Sequence, residues 1–184
     1  EVTSAFDGGY ARDNDTNGDD ITPEQGDYYG MKFDIHNNDK LREVHLDIAQ
    51  YSNNDKISFT LVKDGEVVAN SPTFTAGSDF YWGMEDFDIN PDLDLTPGEY
   101  YLMVKTEQTS GNLEFELDTD NEGYYYEGKP GEIVANEEAM DENTPGNLKL
   151  RMVLGNDAPE FNPALDMQEA TVGAEFMYNI SATD

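Results

Sequence analysis

The chain has 184 residues, with ten Lys plus Arg against forty Asp plus Glu, for a formal net charge of −30. Such an excess repels phosphates, which argues against nucleic acid or an anionic membrane surface as a partner. There is no cysteine, which excludes disulfides, thiol catalysis and Cys-based zinc sites.

No stretch approaches the roughly 18 apolar residues of a membrane span, so no membrane insertion is expected. Hydrophobic residues make up 37% of the chain and aromatics 11%, too apolar for a disordered acidic tail. The start, Glu1-Val2-Thr3-Ser4, lacks the basic and apolar parts of a signal peptide. Either a signal was removed or the chain is cut from a longer one.

The first motif in chain order is Asp13-Asn14-Asp15-Thr16-Asn17-Gly18, followed by Glu24. It fits the calcium-loop pattern D-x-[DN]-x-[DN]-G-x5-E. A hard cation takes about six to eight oxygens, so carboxylates recur at alternate positions while the glycine permits a sharp turn. The expected ligands are Asp13, Asp15 and Asn17 through side chains, Asp19 through its carbonyl, and Glu24 through both carboxylate oxygens. Asp20 stands where an apolar residue is usual, Pro23 adjoins the last ligand, and neither flank is helical. These departures reject a paired EF-hand and leave a calcium clip in a β-rich protein. The alternative is an acidic turn that holds no ion.

Beyond this loop the dominant period is two. Met31–Ile35, Val44–Ile48, Ile57–Leu61, Tyr100–Val104, Leu113–Leu117 and Leu148–Met152 alternate apolar with polar residues between Gly, Pro, Asn or Asp. That is the pattern of half-buried antiparallel strands. Lys63-Asp64-Gly65-Glu66 predicts a hairpin turn, and Thr96-Pro97-Gly98 a second turn. Nine acidic and no basic residues separate Lys63 from Lys105, which predicts a solvated acidic face. Glu137–Glu142 is the best helical candidate, and it is short. The expected fold is an all-β antiparallel β-sandwich.

Candidate chemistry is sparse. His36 and His45 lie in strand patterns, and no nucleophile context such as G-x-S-x-G occurs, so no enzyme activity is expected. Phe80-Tyr81-Trp82 and Tyr124-Tyr125-Tyr126 each place three rings in a row. In a strand, neighbouring side chains point to opposite faces, so each triplet turns at least one ring outward. An exposed aromatic ring suits stacking on a sugar, which makes Trp82, Tyr81 and Tyr125 candidate ligand-binding residues. The alternative is that these rings cover sandwich edges and loops.

Two resemblances follow from these residues. Pro97-Gly98-Glu99-Tyr100-Tyr101-Leu102, Asp118–Tyr126 and Gly146–Val153 resemble strands of a jelly-roll-like accessory module. That module recurs in secreted multidomain proteins of Bacteroidota and related bacteria, and the first strand also resembles the pre-peptidase C-terminal type of domain. The resemblance covers residues 5–155, implies a non-catalytic domain, and carries over no functional residue. The Trp usual before the module's last strand is absent here.

From Gly155-Asn156-Asp157-Ala158-Pro159 onward the tail is similar to the first strands of a cadherin-like, dystroglycan-type repeat, an immunoglobulin-like sandwich of surface proteins. The segment Ala170–Ile180 carries that likeness, which would make Asp157 and Asp184 candidate calcium ligands at a domain junction. The expected organisation is therefore a jelly-roll-like domain over 1–155 and the start of an immunoglobulin/cadherin-like sandwich over 156–184. The latter is either incomplete or a strand donated to a neighbour. The expected function is an extracellular or cell-surface adhesive or structural module, stabilised by calcium and partnered by neighbouring domains or identical subunits. A carbohydrate-binding accessory module of a secreted hydrolase, with glycans as partners, is the alternative.

Overall fold

The computed structural model describes residues 9–10, 17–118, 125–135 and 146–155, with side chains from Asp19 onward. The expected helix at 137–142 and the cadherin-like tail lie outside the described residues.

Strands, in chain order, are β1 (Gly9–Tyr10), β2 (Asn17–Ile21), β3 (Tyr28–Ile35), β4 (Asp39–Gln50), β5 (Lys56–Lys63), β6 (Glu66–Asn70) and β7 (Phe74–Thr75). There follow β8 (Gly83–Leu95), β9 (Gly98–Gln108), β10 (Glu114–Asp118), β11 (Tyr126–Glu127), β12 (Val134–Ala135), β13 (Asn147–Leu148) and β14 (Leu150–Leu154). All six alternating segments read from the sequence lie in or against these strands.

The strands form two antiparallel sheets. The first runs β1-β14-β4-β10-β13, with β2 on β10 and β8 on β4. The second runs β12-β11-β3-β9-β5-β6, with β7 on β5. The expected β-sandwich is the observed fold, and its alternation explains why. Leu41, Val44, Leu46, Phe87, Phe115 and Met152 of the first sheet share one buried cluster with Met31, Phe33, Phe59 and Leu102 of the second.

Phe59 and Phe87 meet across the sheets at 4.9 Å between ring centroids, and Phe74 and Phe80 pack on Phe87 at 4.9 and 5.7 Å. Edge-on pairs of this kind contribute about 0.5–1.5 kcal/mol each beyond their burial. This ring cluster is the sandwich's hub.

Both expected turns are present. Asp64 and Gly65 take φ of 53° and 79°, the paired positive values of a type I′ hairpin. Gly98, at φ 145°, opens β9 after the Thr96-Pro97 turn. Lys63 Nζ fastens this turn to the hairpin, donating to Thr96 Oγ1 at 2.8 Å and to the Pro97 carbonyl at 3.1 Å.

The stretch expected as an acidic face contains a strand. β8 pairs along β4 and turns Phe87, Ile89 and Leu95 inward, while Asp86, Asp88, Asp92 and Asp94 face solvent. Its register jumps between Leu41 and Glu43 of β4, and Pro91 falls in that jump, where no ladder donor is needed.

The first sheet also forks. β4 and β10 pair at Gln50–Glu114 and Ile48–Phe115, and residues 147–154 then enter between them. At the point of the fork, Lys149 donates its N–H to the Glu116 carbonyl and accepts the Asp47 N–H, both at 3.1 Å.

Candidate functional site

The calcium-type segment is only partly described. Asp13 and Asp15 lie outside the described residues. Asn17 and Asp19 belong to β2, which pairs with β10 through Asn17–Asp118, Asp20–Glu116 and Ile21–Phe115. A strand rises about 3.3 Å per residue, so Asn17 and Ile21 stand roughly 13 Å apart.

Glu24 follows in a turn, where its N–H donates to Asp27 Oδ2 at 3.0 Å. Asn17 thus lies in β2, and Glu24 stands at the turn that follows it. Among the described residues, no three His, Asp or Glu side chains converge on a metal-sized space. The Asp20 carboxyl is pushed above the usual carboxylate range by burial first, then by the negative charges of Glu114, Asp19 and Asp47.

The aromatic candidates are placed more fully. One end of the sandwich gathers the loops 51–55, 76–82 and 109–113. Asp55, 1% exposed, ties two of them. Its Oδ2 accepts the Ser52 N–H at 2.7 Å, while Oδ1 accepts the Ser110 N–H at 2.8 Å and hydroxyl at 3.1 Å. The Asp55 carbonyl accepts the Ala76 N–H at 2.8 Å, which brings in the third loop. Asp79 closes that loop on itself, its Oδ2 accepting the Thr75 N–H at 2.7 Å.

On this frame the triplet divides. Phe80 is buried against Phe87 and Tyr51, with Tyr51 6.2 Å away. Tyr81 is 50% exposed and stands edge-on to Tyr51 at 6.4 Å. Trp82 is 76% exposed. The expected outward ring is there, presented by a loop rather than by strand alternation. One anchored ring fixes the loop, and two rings face outward beside it.

The other triplet points differently. Tyr126 is buried on β11, with its ring 5.0 Å from Tyr101. Tyr125 packs on the core and meets Tyr29 edge-on at 5.8 Å. Tyr124 lies outside the described residues. Burial first, and then the charge and hydrogen bond of Asp27, push the Tyr29 hydroxyl well above the usual phenol range.

Sequence reasoning missed two features. One is a polar cleft of about 410 Å³ beside the β11–β12 hairpin, lined by Asp27, Tyr28, Tyr29, Glu127, Lys129 and Glu132 among others. The other is Lys149, 1% exposed on the outer side of the first sheet. Its Nζ lies 3.4 Å from Asp47 Oδ2 and 3.2 Å from Glu116 Oε1. His45, on the same face, has its Nε2 3.3 Å from Glu43 Oε2 and 3.2 Å from Asp86 Oδ1.

No family model, no curated protein and no solved structure matches the chain.

Proposed function

We propose that the chain is a non-catalytic, adhesive β-sandwich module of an extracellular or cell-surface protein that binds neutral glycan through Trp82 and Tyr81. The observation that carries this reading is the 76% exposure of Trp82 on a loop anchored by Phe80 and Asp79. Tryptophan is highly buried on average, and Trp82 beside the half-exposed Tyr81 makes an apolar patch rather than a single scattered residue. A preformed aromatic platform stacks on the C–H face of a sugar and loses little entropy on binding.

The choice of a neutral glycan follows from charge. No Lys or Arg lies between residues 63 and 105, while Asp79, Glu85 and Asp86 flank the platform in sequence. An anionic glycan would be repelled there. Retardation of the chain in gels containing neutral polysaccharides tests the reading. Trp82→Ala should weaken retention at least about tenfold, the loss of some 1.4 kcal/mol of binding, and leave the melting temperature unchanged. Retention that survives the substitution, or its absence from every neutral polysaccharide tried, would sink this reading.

Calcium belongs to the same proposal as the clip of the N-terminal segment. Its support is the oxygen spacing from Asp13 to Glu24 and the negative surroundings that raise Asp20. Millimolar calcium should raise the melting temperature more than magnesium at matched ionic strength, and equal effects would reduce the segment to a screened acidic turn.

A second reading is assembly with identical subunits through an added strand. It draws on β6, which ends the second sheet among the described residues and leaves Val67 and Val68 exposed. Such an edge accepts a strand through its free backbone groups. The alternating segment Val172–Ile180 is the candidate strand, and light scattering before and after removal of residues 157–184 tests it.

A further inference from the structure

We propose that Lys149 and Asp47 become joined by an amide between their side chains, with Glu116 carrying the proton, so that the chain staples its own sheet. The three groups lie side by side at the fork of the first sheet. Lys149 hydrogen-bonds through its backbone to Glu116 on one side and to Asp47 on the other. This ladder register sends all three side chains to the same outer face, and Nζ reaches both carboxylates at 3.4 and 3.2 Å.

A lysine has reason to be solvent-exposed, and its flexible stem normally lets it reach water. Here the ammonium is sealed in, and Asp47 and Glu116 are themselves mostly buried. A salt bridge so placed must offset the desolvation of every charge in it. An amide removes two of those charges altogether.

The chemistry needs nothing that the three residues do not hold. The pair –NH3⁺ and –COO⁻ carries the same protons as –NH2 and –COOH, so proton movement within the triad gives a neutral amine and a neutral Asp47 carboxyl. The Nζ lone pair then attacks Asp47 Cγ and forms the C–N bond. Glu116 accepts the proton from nitrogen and passes it to the departing hydroxyl. The C–O bond breaks, one water leaves, and Glu116 ends in its starting state.

Groups held at hydrogen-bond distance meet the positional demand of such a step. Burial keeps bulk water from competing. Asp47 is the acceptor because its short side chain lies directly across the ladder from Lys149.

The bond would span 102 positions and tie β4 to the strand pair β13–β14. In a chain with no cysteine, it supplies the cross-link that a disulfide cannot.

The test is the intact mass of the purified, denatured full chain, followed by peptide mapping. The expected mass is that of the sequence less one water, with the peptide containing Asp47 joined to the peptide containing Lys149. Lys149→Arg keeps the charge and lacks the nucleophile, and it should show its full sequence mass. Glu116→Gln should fold, as circular dichroism reads it, and also keep its full mass.

A wild-type mass equal to that of the sequence overturns the proposal. So does a water lost within one unlinked peptide, as a succinimide at Asp64-Gly65 would give, or a link that maps to Glu116. Cross-linking of Glu116→Gln at the wild-type rate overturns the role of Glu116.

Discussion

The outer faces of the two sheets solve the same problem in opposite ways. On the second sheet, Lys32 pairs with Glu99 at 2.6 Å and Lys105 with Glu107 at 2.8 Å, all four groups still wetted by solvent. On the first, Lys149 meets Asp47 and Glu116 at longer distances, yet in near-complete burial. Distance alone would rank the solvated pairs as the stronger. Burial reverses the order, because water screens an exposed pair and leaves it contributing about 0–1 kcal/mol. A buried charge that loses its partner costs several times as much.

The largest effect expected from this contrast is that of Lys149→Met. It leaves the Asp47 and Glu116 carboxylates facing each other with neither a cation nor an amide between them, at a cost of at least about 3–5 kcal/mol. For a chain of this size that is a fall in melting temperature of roughly 6–20 °C. A fall of a degree or two would erase the distinction between the faces.

Asp55→Ala comes next. It strands the donors Ser52 N–H and Ser110 N–H and loosens the aromatic end, for about 2–3 kcal/mol. The same variant should weaken polysaccharide retention less than Trp82→Ala does, because the loop that carries Trp82 keeps its bond to the Asp55 carbonyl and loses only the neighbouring loops' tie. Unchanged retention would mean that the platform holds its shape without the tie.

Lys105→Met should cost about 1 kcal/mol or less, and the cost should shrink in high salt. Urea titrations at two salt concentrations measure both effects.

The smallest effect is a pH dependence, and its sign is fixed. A hydrogen bond from Lys105 holds the Glu107 carboxyl below its ordinary 4.5, with a further bond from Ser58. Its contribution is present above the unfolded pKa and disappears as pH falls through the lower folded value. The same partnership raises the Lys105 ammonium above its ordinary 10.5. That contribution is present below the unfolded pKa and lost as pH rises through the folded one. The stability difference between wild type and Lys105→Met should therefore be flat across neutral pH and shrink at both extremes. A difference that peaks at one extreme would place the interaction elsewhere.

Period-two alternation made the sandwich legible, because each of those strands has one dry and one wet face. β8 escaped for a physical reason. Among the described residues it pairs with β4 alone, takes its inward anchors from Phe87, Ile89 and Leu95, and fills most other positions with acids, Asn90 and Pro91. The oxygen spacing from Asp13 to Glu24 is legible in the sequence, whereas the strand pairing of Asn17–Ile21 is not, because one apolar residue, Ile21 opposite Phe115, marks it.

Phe80-Tyr81-Trp82 was recognisable as a divided triplet. Trp82 and Tyr81, its candidate outward rings, are the exposed ones, but the loop that presents them was not legible, since Asp55 and Asp79 hold it through contacts that no local pattern displays. Lys149 was the least legible of all. Leu148-Lys149-Leu150 reads as a strand with its lysine toward solvent, and only the register with residues 102 and 33 positions away closes carboxylates around it.

The fork of the first sheet also dictates an order of events. Residues 147–154 fill a gap whose walls, β4 and β10, are made much earlier as the chain is synthesised. Until that segment arrives, Leu46 and Leu117 lack their partners on the side of the fork, and the sheet cannot close there. Contacts so distant in sequence are slow to form. The first sheet should stay open until residues 147–154 have emerged, when its last described strand slides between two that have been waiting for it.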